Sequence, residues 1–281
     1  MSERSAHTDT GAAGPYGSPY HVPVLWKAVV EGLVTDPAGC YVDATIGGGG
    51  HAAALLDALA PEGRVIGIDR DPEALDAVRR RLGDAVEAGR LQLVPGNFAD
   101  LEAILDRLGV AQIDGLLLDL GVSSHQLDEA LRGFSFQAEG PLDMRMDPTS
   151  PGPTAAQLLE RWSEYELAEV LRRYGEEPRA RKLARAICRA RPIRTTAELA
   201  EVVRREVPPK EATKTLARVF QALRIAVNDE LQALERALEA ATRRVRPGGR
   251  LVVLSYHSLE DRRVKRFLRY GNLKGEPVRD F

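Results

Sequence analysis

The chain has 281 residues, 44% hydrophobic and 28% charged, enough to bury a sizeable core and form one large domain or a domain carrying an insertion. No apolar run approaches the roughly 18–20 residues needed to cross a bilayer, and residues 1–19 are small and polar without the apolar centre of a secretion signal. These features predict a disordered arm, residues 1–19, on a cytoplasmic protein with no membrane partner. The formal net charge of −2 is unevenly split. Residues 1–150 carry 11 Lys+Arg against 23 Asp+Glu, a balance of −12, and residues 151–281 carry 28 against 18, a balance of +10. Either the second half turns a basic surface to a polyanion, or its arginine-rich helices are simply solvated. Cys40 and Cys188 lie far apart and read as two packed thiols. The five histidines and two cysteines show no ligand spacing, so no metal is expected.

Between residues 40 and 120, short apolar runs alternate with helical stretches. Residues 40–46 read as a strand ending in the glycines Gly47 to Gly50, and residues 51–60 as a helix of small side chains. A second strand over 64–69 leads to a helix over 72–88, with Pro72 well placed at its start. A third strand spans 91–95, followed by a helix over 101–108. Residues 113–120 (IDGLLLDL) form a fourth strand whose unbroken apolar centre predicts burial on both faces. Such alternation implies a parallel sheet with right-handed crossovers.

The alternation then breaks for about 130 residues. Residues 133–153 read as loop, followed by helical stretches over 155–174, 179–191, 196–206 and 210–245, the last divisible into two pieces. The sheet resumes at 251–256 (LVVLSY) after the turn Pro247-Gly248-Gly249, and 259–270 supplies a further helix. The fold class is therefore α/β: a doubly wound, mostly parallel sheet formed by residues 20–140 and 225–281, with a helical subdomain inserted over 141–224.

In an open parallel sheet the ligand site lies beyond the carboxyl ends of the strands, beside the first one. Here that place holds DATIGGGGH, residues 43–51, whose glycines let a ligand lie against the main chain near a helix N-terminus. Asp69 ends the next strand, where a carboxylate can accept both hydroxyls of a ribose. This much also fits a dinucleotide, because Gly47, Gly49 and Ala52 satisfy G-x-G-x-x-A, and a nicotinamide-dependent oxidoreductase is one alternative. Three features favour S-adenosylmethionine. Asp43 can organise the loop and face a cationic aminoacyl end, where a pyrophosphate would be repelled. Phe98, after the third strand, can stack on adenine, or be a core ring. Asp119 ends the fourth strand, beside the expected position of the transferable methyl.

HVPVL at 21–25, DATIGGGGH at 43–51, IDRDP at 68–72, LLLDLGVSSHQLD at 116–128, RGFSFQAEGPLDMRMDP at 132–148, FQALRIAVNDEL at 220–231 and PGGRLVVLSYHSLEDRRVKRF at 247–267 together resemble the RsmH (MraW) family of bacterial 16S rRNA cytosine-N4 methyltransferases. The resemblance runs from about His21 to Phe267. It implies the S-adenosylmethionine-dependent methyltransferase fold with a helical insertion, and methylation of the exocyclic N4 of a cytidine in the decoding centre of 16S rRNA. The partner it implies is 16S rRNA in the small ribosomal subunit. Carried over motif by motif, the cofactor contacts fall on Gly49, Gly50, His51, Asp69, Phe98, Asp119 and Gln126. Gly48 stands where the family has a bulkier residue, which is expected to loosen the loop. Family members also continue past the HSLEDR helix into a tail supplying the last strands, so a chain ending at Phe281 is expected to have fewer.

By analogy with other amino-methyltransferases, the Asp119 carboxylate or the Leu120 carbonyl is the candidate acceptor for the hydrogens of the target amine. Phe134 and Phe136 are candidates for gripping an unstacked base or for packing under the loop. Arg145, Arg179, Arg181, Lys182 and Arg185 are candidates for flanking phosphates. His257 and Ser258 are expected to face the same cleft, with a helix-cap role for His257 as the alternative. A non-catalytic ribosome-assembly factor that keeps the fold is the remaining alternative function. The oligomeric state stays open, a homodimer included.

Overall fold

The computed structural model describes Tyr16 and residues 23–275. Apart from Tyr16, the arm over 1–19 lies outside the described residues, as do His21 and Val22. Five strands, β1 (Cys40–Asp43), β2 (Arg64–Asp69), β3 (Leu91–Pro95), β4 (Ile113–Asp119) and β5 (Val245–Leu254), form one parallel sheet in the order β3-β2-β1-β4-β5. The order reverses beside β1, as the doubly wound reading requires. On β4, Leu116, Leu117 and Leu118 are wholly buried, because helices cover both faces.

One face carries α1 (Trp26–Leu33), α2 (Gly50–Ala58), α3 (Pro72–Arg81) and α4 (Gly83–Glu87), whose Leu33, Leu55 and Leu75 pack with Tyr41, Val65 and Leu117. The other face carries α5 (Leu101–Arg107), and beyond β4 the short α6 (Ser124–Asp128) turns the chain away from the sheet. A separate core between Phe134 and Leu223 is built from α7 (Ala155–Arg161), α8 (Glu164–Gly175), α9 (Ala180–Arg189), α10 (Thr196–Glu206) and α11 (Pro209–Asn228). The chain then returns through α12 (Glu230–Arg244), whose Leu234 and Leu238 join Ile66, Ile68, Leu116 and Leu118, and ends its described part with α13 (Ser258–Tyr270). Among the described residues β5 is an edge strand.

Several boundaries differ from the sequence-based ones for local reasons. The helix over 72–88 divides into α3 and α4 at Gly83, a weak helix former. The stretch 155–174 divides into α7 and α8 because Ser163 starts a new helix with a capping box, its hydroxyl accepting from Glu166 N while Glu166 accepts from Ser163 N. The stretch 210–245 divides at Asp229, which adopts a left-handed conformation with φ 52°. The final strand begins at Val245, so the Pro-Gly-Gly segment lies inside it as an irregularity opposite Ile113 and Gly115. Helices α1 and α6 were not anticipated.

The second core is tied to the sheet by buried polar bonds. Asp71, at the N-cap of α3, accepts from Glu73 N through Oδ1, and its Oδ2 accepts from Arg132 Nη1 at 2.8 Å and Gln126 Nε2 at 2.9 Å. Arg132 Nη2 in turn donates to the carbonyls of Met146, at 2.7 Å, and Arg145, at 3.3 Å. Both members of the ion pair are buried. Removing one partner strands a charge in a place water does not reach. Arg132→Met is therefore expected to lower the unfolding free energy by about 3–5 kcal/mol, read by urea denaturation; a loss below about 1 kcal/mol would show the pair is not structural.

Candidate active site

A cavity of about 410 Å³ opens at the carboxyl edge of the sheet. Because parallel strands end together, it collects residues from each: Thr45 to Gly47 beyond β1, Asp69 and Arg70 at β2, Asn97 and Phe98 beyond β3, Asp119 to Ser124 beyond β4 and Tyr256 beyond β5. Gly50 and His51 at the start of α2 also line it, with Gln126, Met146 and Arg224.

The glycine loop is shaped by close contacts. Gly47 and Gly49 take positive φ, 49° and 75°, which side chains disfavour. At Gly50 a Cβ would come within 2.9 Å of the Pro23 ring. Asp69 braces the loop, its Oδ2 accepting from Gly47 N and its Oδ1 from Asp71 N, both at 2.9 Å. Burial raises this carboxyl to about 6, against the lowering effect of the bonds from Asp71 N and Gly47 N. Gly48, expected to loosen the loop, has its carbonyl held by Arg81 Nη1 at 2.9 Å.

Asp119 is anchored on several sides. Its backbone N donates to Thr45 Oγ1 at 2.7 Å, and its Oδ1 accepts from the Tyr256 hydroxyl at 2.8 Å. Buried His51 places Nε2 at 3.4 Å from Asp119 Oδ2. Phe98 lines the cavity and also packs, partly buried, against the sheet core. Gln126 also lines the cavity, but its amide is engaged at both ends: Oε1 accepts from Ser123 N in a capping box and Nε2 donates to Asp71.

Other sequence-chosen residues are placed elsewhere. Gly49 is not among the lining residues; it faces Val78 and Leu82 of the α3 region, and its role is the turn. Asp43 is buried beneath the loop, where Oδ1 accepts from Thr45 N at 3.2 Å, and it does not reach the cavity wall. Phe134 is buried in the helical core and Phe136 packs edge-on against Phe220 with ring centres 5.4 Å apart, so the loop turns both rings away from the cavity. His257 lies outside the cavity, with Nε2 at 3.1 Å from Glu260 Oε1, and the Ser258 hydroxyl donates to Glu176. Most of the chosen cations hold carboxylates: Arg145 with Asp143, Arg179 with Glu211, Lys182 with Glu206 and Arg185 with Glu164.

Tyr256, Arg224, Arg70, Met146 and Thr45 were missed. For Tyr256 a signal existed, since it ends the LVVLSY run. Arg224 and Met146 carried none, because their place depends on the path of the second core. Asn228 fixes that path, its Oδ1 accepting from Met146 N at 2.8 Å and its Nδ2 donating to Met144 O at 2.7 Å. The fold also brings Glu230, His257 and Glu260 together, with possible ligand atoms within 4.8 Å of one another, which sequence spacing did not suggest. Glu230 is already bonded at both oxygens by Arg224, each at 2.8 Å.

Residues 18–277 match the model of the MraW methylase family. The chain belongs to this family. "Ribosomal RNA small subunit methyltransferase H" of Symbiobacterium thermophilum is 51% identical over 252 residues, 88% of this chain and 78% of that one. Its counterpart of the same name in Geobacter sulfurreducens is 51% identical over 255 residues, 89% and 81% of the two chains. Among solved structures, an S-adenosylmethionine-dependent O-methyltransferase of Thermotoga maritima is 17% identical and aligns with 34% of each chain at a TM-score of 0.29, too low to carry weight. Membership in a methylase family sets aside the nicotinamide reading of the glycine loop. In this methylase no helix among the described residues is long and apolar enough to cross a membrane.

Asp43 yields a test of the loop's electrostatics. Burial lifts its carboxyl from 3.8 to about 7, opposed by the neighbouring charge of His51 and the bond from Thr45 N. Its Oδ2 is buried with no hydrogen-bond partner. Between about pH 4 and 7 the folded chain keeps this proton while the unfolded chain has lost it. Its contribution to stability therefore falls as pH rises through that window, by on the order of 1 kcal/mol per pH unit. Asp43→Asn is expected to flatten that slope in unfolding free energies measured across the window; an unchanged slope would mean Asp43 ionises as in a free peptide.

Proposed function

We propose that the chain transfers a methyl group from S-adenosylmethionine to the exocyclic N4 of a cytidine in 16S rRNA of the small ribosomal subunit. The observation that carries this reading is Asp119, an acid at the carboxyl end of β4 that lines the cavity and is oriented by Tyr256 and Thr45. The donor set fits the cofactor: the Asp69 carboxylate for a ribose, the part-exposed Phe98 for adenine, and the backbone at Gly47 and Gly50 for the aminoacyl end. The carboxylates of Asp69 and Asp119 suit a cationic ligand better than a pyrophosphate. The two lining cations are already engaged, Arg224 with Glu230 and Arg70 with the carbonyl and side-chain oxygens of Asn228.

Bound S-adenosylmethionine supplies an electrophilic methyl carbon on a sulfonium whose carbon–sulfur electron pair stays with sulfur as the nitrogen–carbon bond forms. The cytosine amine is a poor nucleophile because its lone pair is delocalised into the ring. Asp119, or the Leu120 carbonyl beside it, accepts the N4 hydrogens and draws the nitrogen toward tetrahedral geometry, which frees the lone pair. The proton that N4 then sheds passes to the carboxylate and on to water. Positioning does most of this work, since the attack needs in-line approach at roughly 3 Å.

The separate helical core supports reading residues 141–224 as the inserted part that recognises RNA. Exposed Arg181 meets phosphate directly, and the paired cations exchange a carboxylate for a phosphate on binding. This substrate makes the cytoplasm the place of work.

Incubation with labelled S-adenosylmethionine and unmethylated small subunits, followed by mass identification of the nucleoside, is expected to yield N4-methylcytidine. Cofactor binding without transfer would leave the assembly-factor reading instead. Asp119→Asn is expected to lower kcat on the order of 10²-fold while the Kd for the cofactor stays within about threefold. Turnover near that of the unaltered chain would exclude a direct role for the carboxylate.

A further inference from the structure

Tyr256 is an aromatic side chain that lines the cavity yet remains 55% exposed. It lies two residues beyond β5. So open a phenol would ordinarily move freely, but this one is tethered through its hydroxyl, which donates to Asp119 Oδ1 at 2.8 Å. Its ring lies close to Gly121, where an added Cβ would meet Cδ2 at 3.5 Å. Gly121 has φ 96°, so a side chain is disfavoured there and the space under the ring stays clear. Val24 and Leu127, also lining the cavity, are exposed at 42% and 45%. A tethered, exposed ring in a cavity wall that also carries exposed Val24 and Leu127 offers a flat surface to a planar partner.

Strand order says which partner. Phe98 follows β3 and Tyr256 follows β5, at opposite ends of the sheet's carboxyl edge. Four strand spacings separate them, about 19 Å. On the reading given under Proposed function, adenine lies at Phe98, ribose at Asp69 and the aminoacyl end at the glycine loop, which occupies the edge from β3 to β1. The end formed by β4 and β5 is left for the acceptor.

We propose that Tyr256 is the platform on which the target cytosine stacks, and that its hydroxyl orients the Asp119 carboxylate toward the base's amine. The ring and the hydroxyl then have separable jobs. Stacking holds the base and is felt in binding. The hydroxyl bond aims the carboxylate and is felt in turnover.

The test compares Tyr256→Ala with Tyr256→Phe in the full chain, using unmethylated small subunits. The alanine variant is expected to raise KM for subunits roughly tenfold and to lower kcat about tenfold. Phenylalanine is expected to restore KM to within about threefold while leaving kcat about tenfold down, because it keeps the ring and loses the hydroxyl. Cofactor Kd should stay within about threefold in both. The inference is overturned if alanine leaves KM and kcat within about twofold, if phenylalanine fails to restore KM, or if alanine weakens cofactor binding instead. N4-methylcytidine made by the unaltered chain establishes the underlying reaction independently. Should none be made, binding of a cytidine-containing RNA hairpin in the presence of S-adenosylhomocysteine still decides the stacking role: equal Kd for the unaltered chain and Tyr256→Ala overturns it, and a roughly tenfold weaker Kd for the variant upholds it.

Discussion

The buried carboxylate of Asp71 is the constraint on which the rest of this structure depends. An ion pair removed from water gains from mutual attraction only if its remaining hydrogen-bonding capacity is also met. Here it is met from four parts of the chain. Oδ1 caps α3, and Oδ2 receives Arg132 and Gln126. The far side of Arg132 holds the carbonyls of Arg145 and Met146, and Met146 N is held by Asn228. One network therefore fixes the end of β2, the segment after β4, the long loop and the end of α11 relative to one another. A network of this kind is costly when half satisfied, which gives the loop one arrangement rather than several.

Beside it, three acids near the strand ends do three different things. Asp69 spends each oxygen on a backbone N–H and so gives the glycine loop its shape, while still lining the cavity. Asp43 sits beneath that loop, away from the cavity, where burial makes its ionisation unfavourable. Asp119 lines the cavity, and its acidic oxygens are approached by Tyr256 and His51. A single feature of sequence, an acid at the carboxyl end of a central strand, thus becomes a brace, a buried group and a candidate for chemistry. What separates them is the set of groups each carboxylate meets.

The basic second half is less bare than its balance of +10 suggests. Arg179, Lys182 and Arg185 each hold a carboxylate on the helical core, and Arg263 holds Glu235. Exposed pairs of this sort contribute little to stability. They cost correspondingly little to exchange for a polyanion, so a surface that looks neutralised remains able to meet phosphates.

Sequence by itself determined the parallel sheet and its site edge. Alternating apolar runs and helical stretches have only a few ways to bury their faces, and parallel strands bring Gly47, Asp69, Phe98 and Asp119 to one edge whatever the loops do. Tertiary structure decided what those residues face and which distant ones join them. Phe134 and Phe136 went to the helical core because the loop that carries them is held by Arg132, itself paired with Asp71, 61 residues away, and by Asn228, 84 residues from Met144, bonds that no local pattern announces. Arg224 entered the cavity for the same reason, while Tyr256, which sequence already placed at a strand end, has its direction set by its bond to Asp119, 137 residues away. A side chain's direction is set by packing against elements far along the chain, and periodicity within one segment carries no information about that.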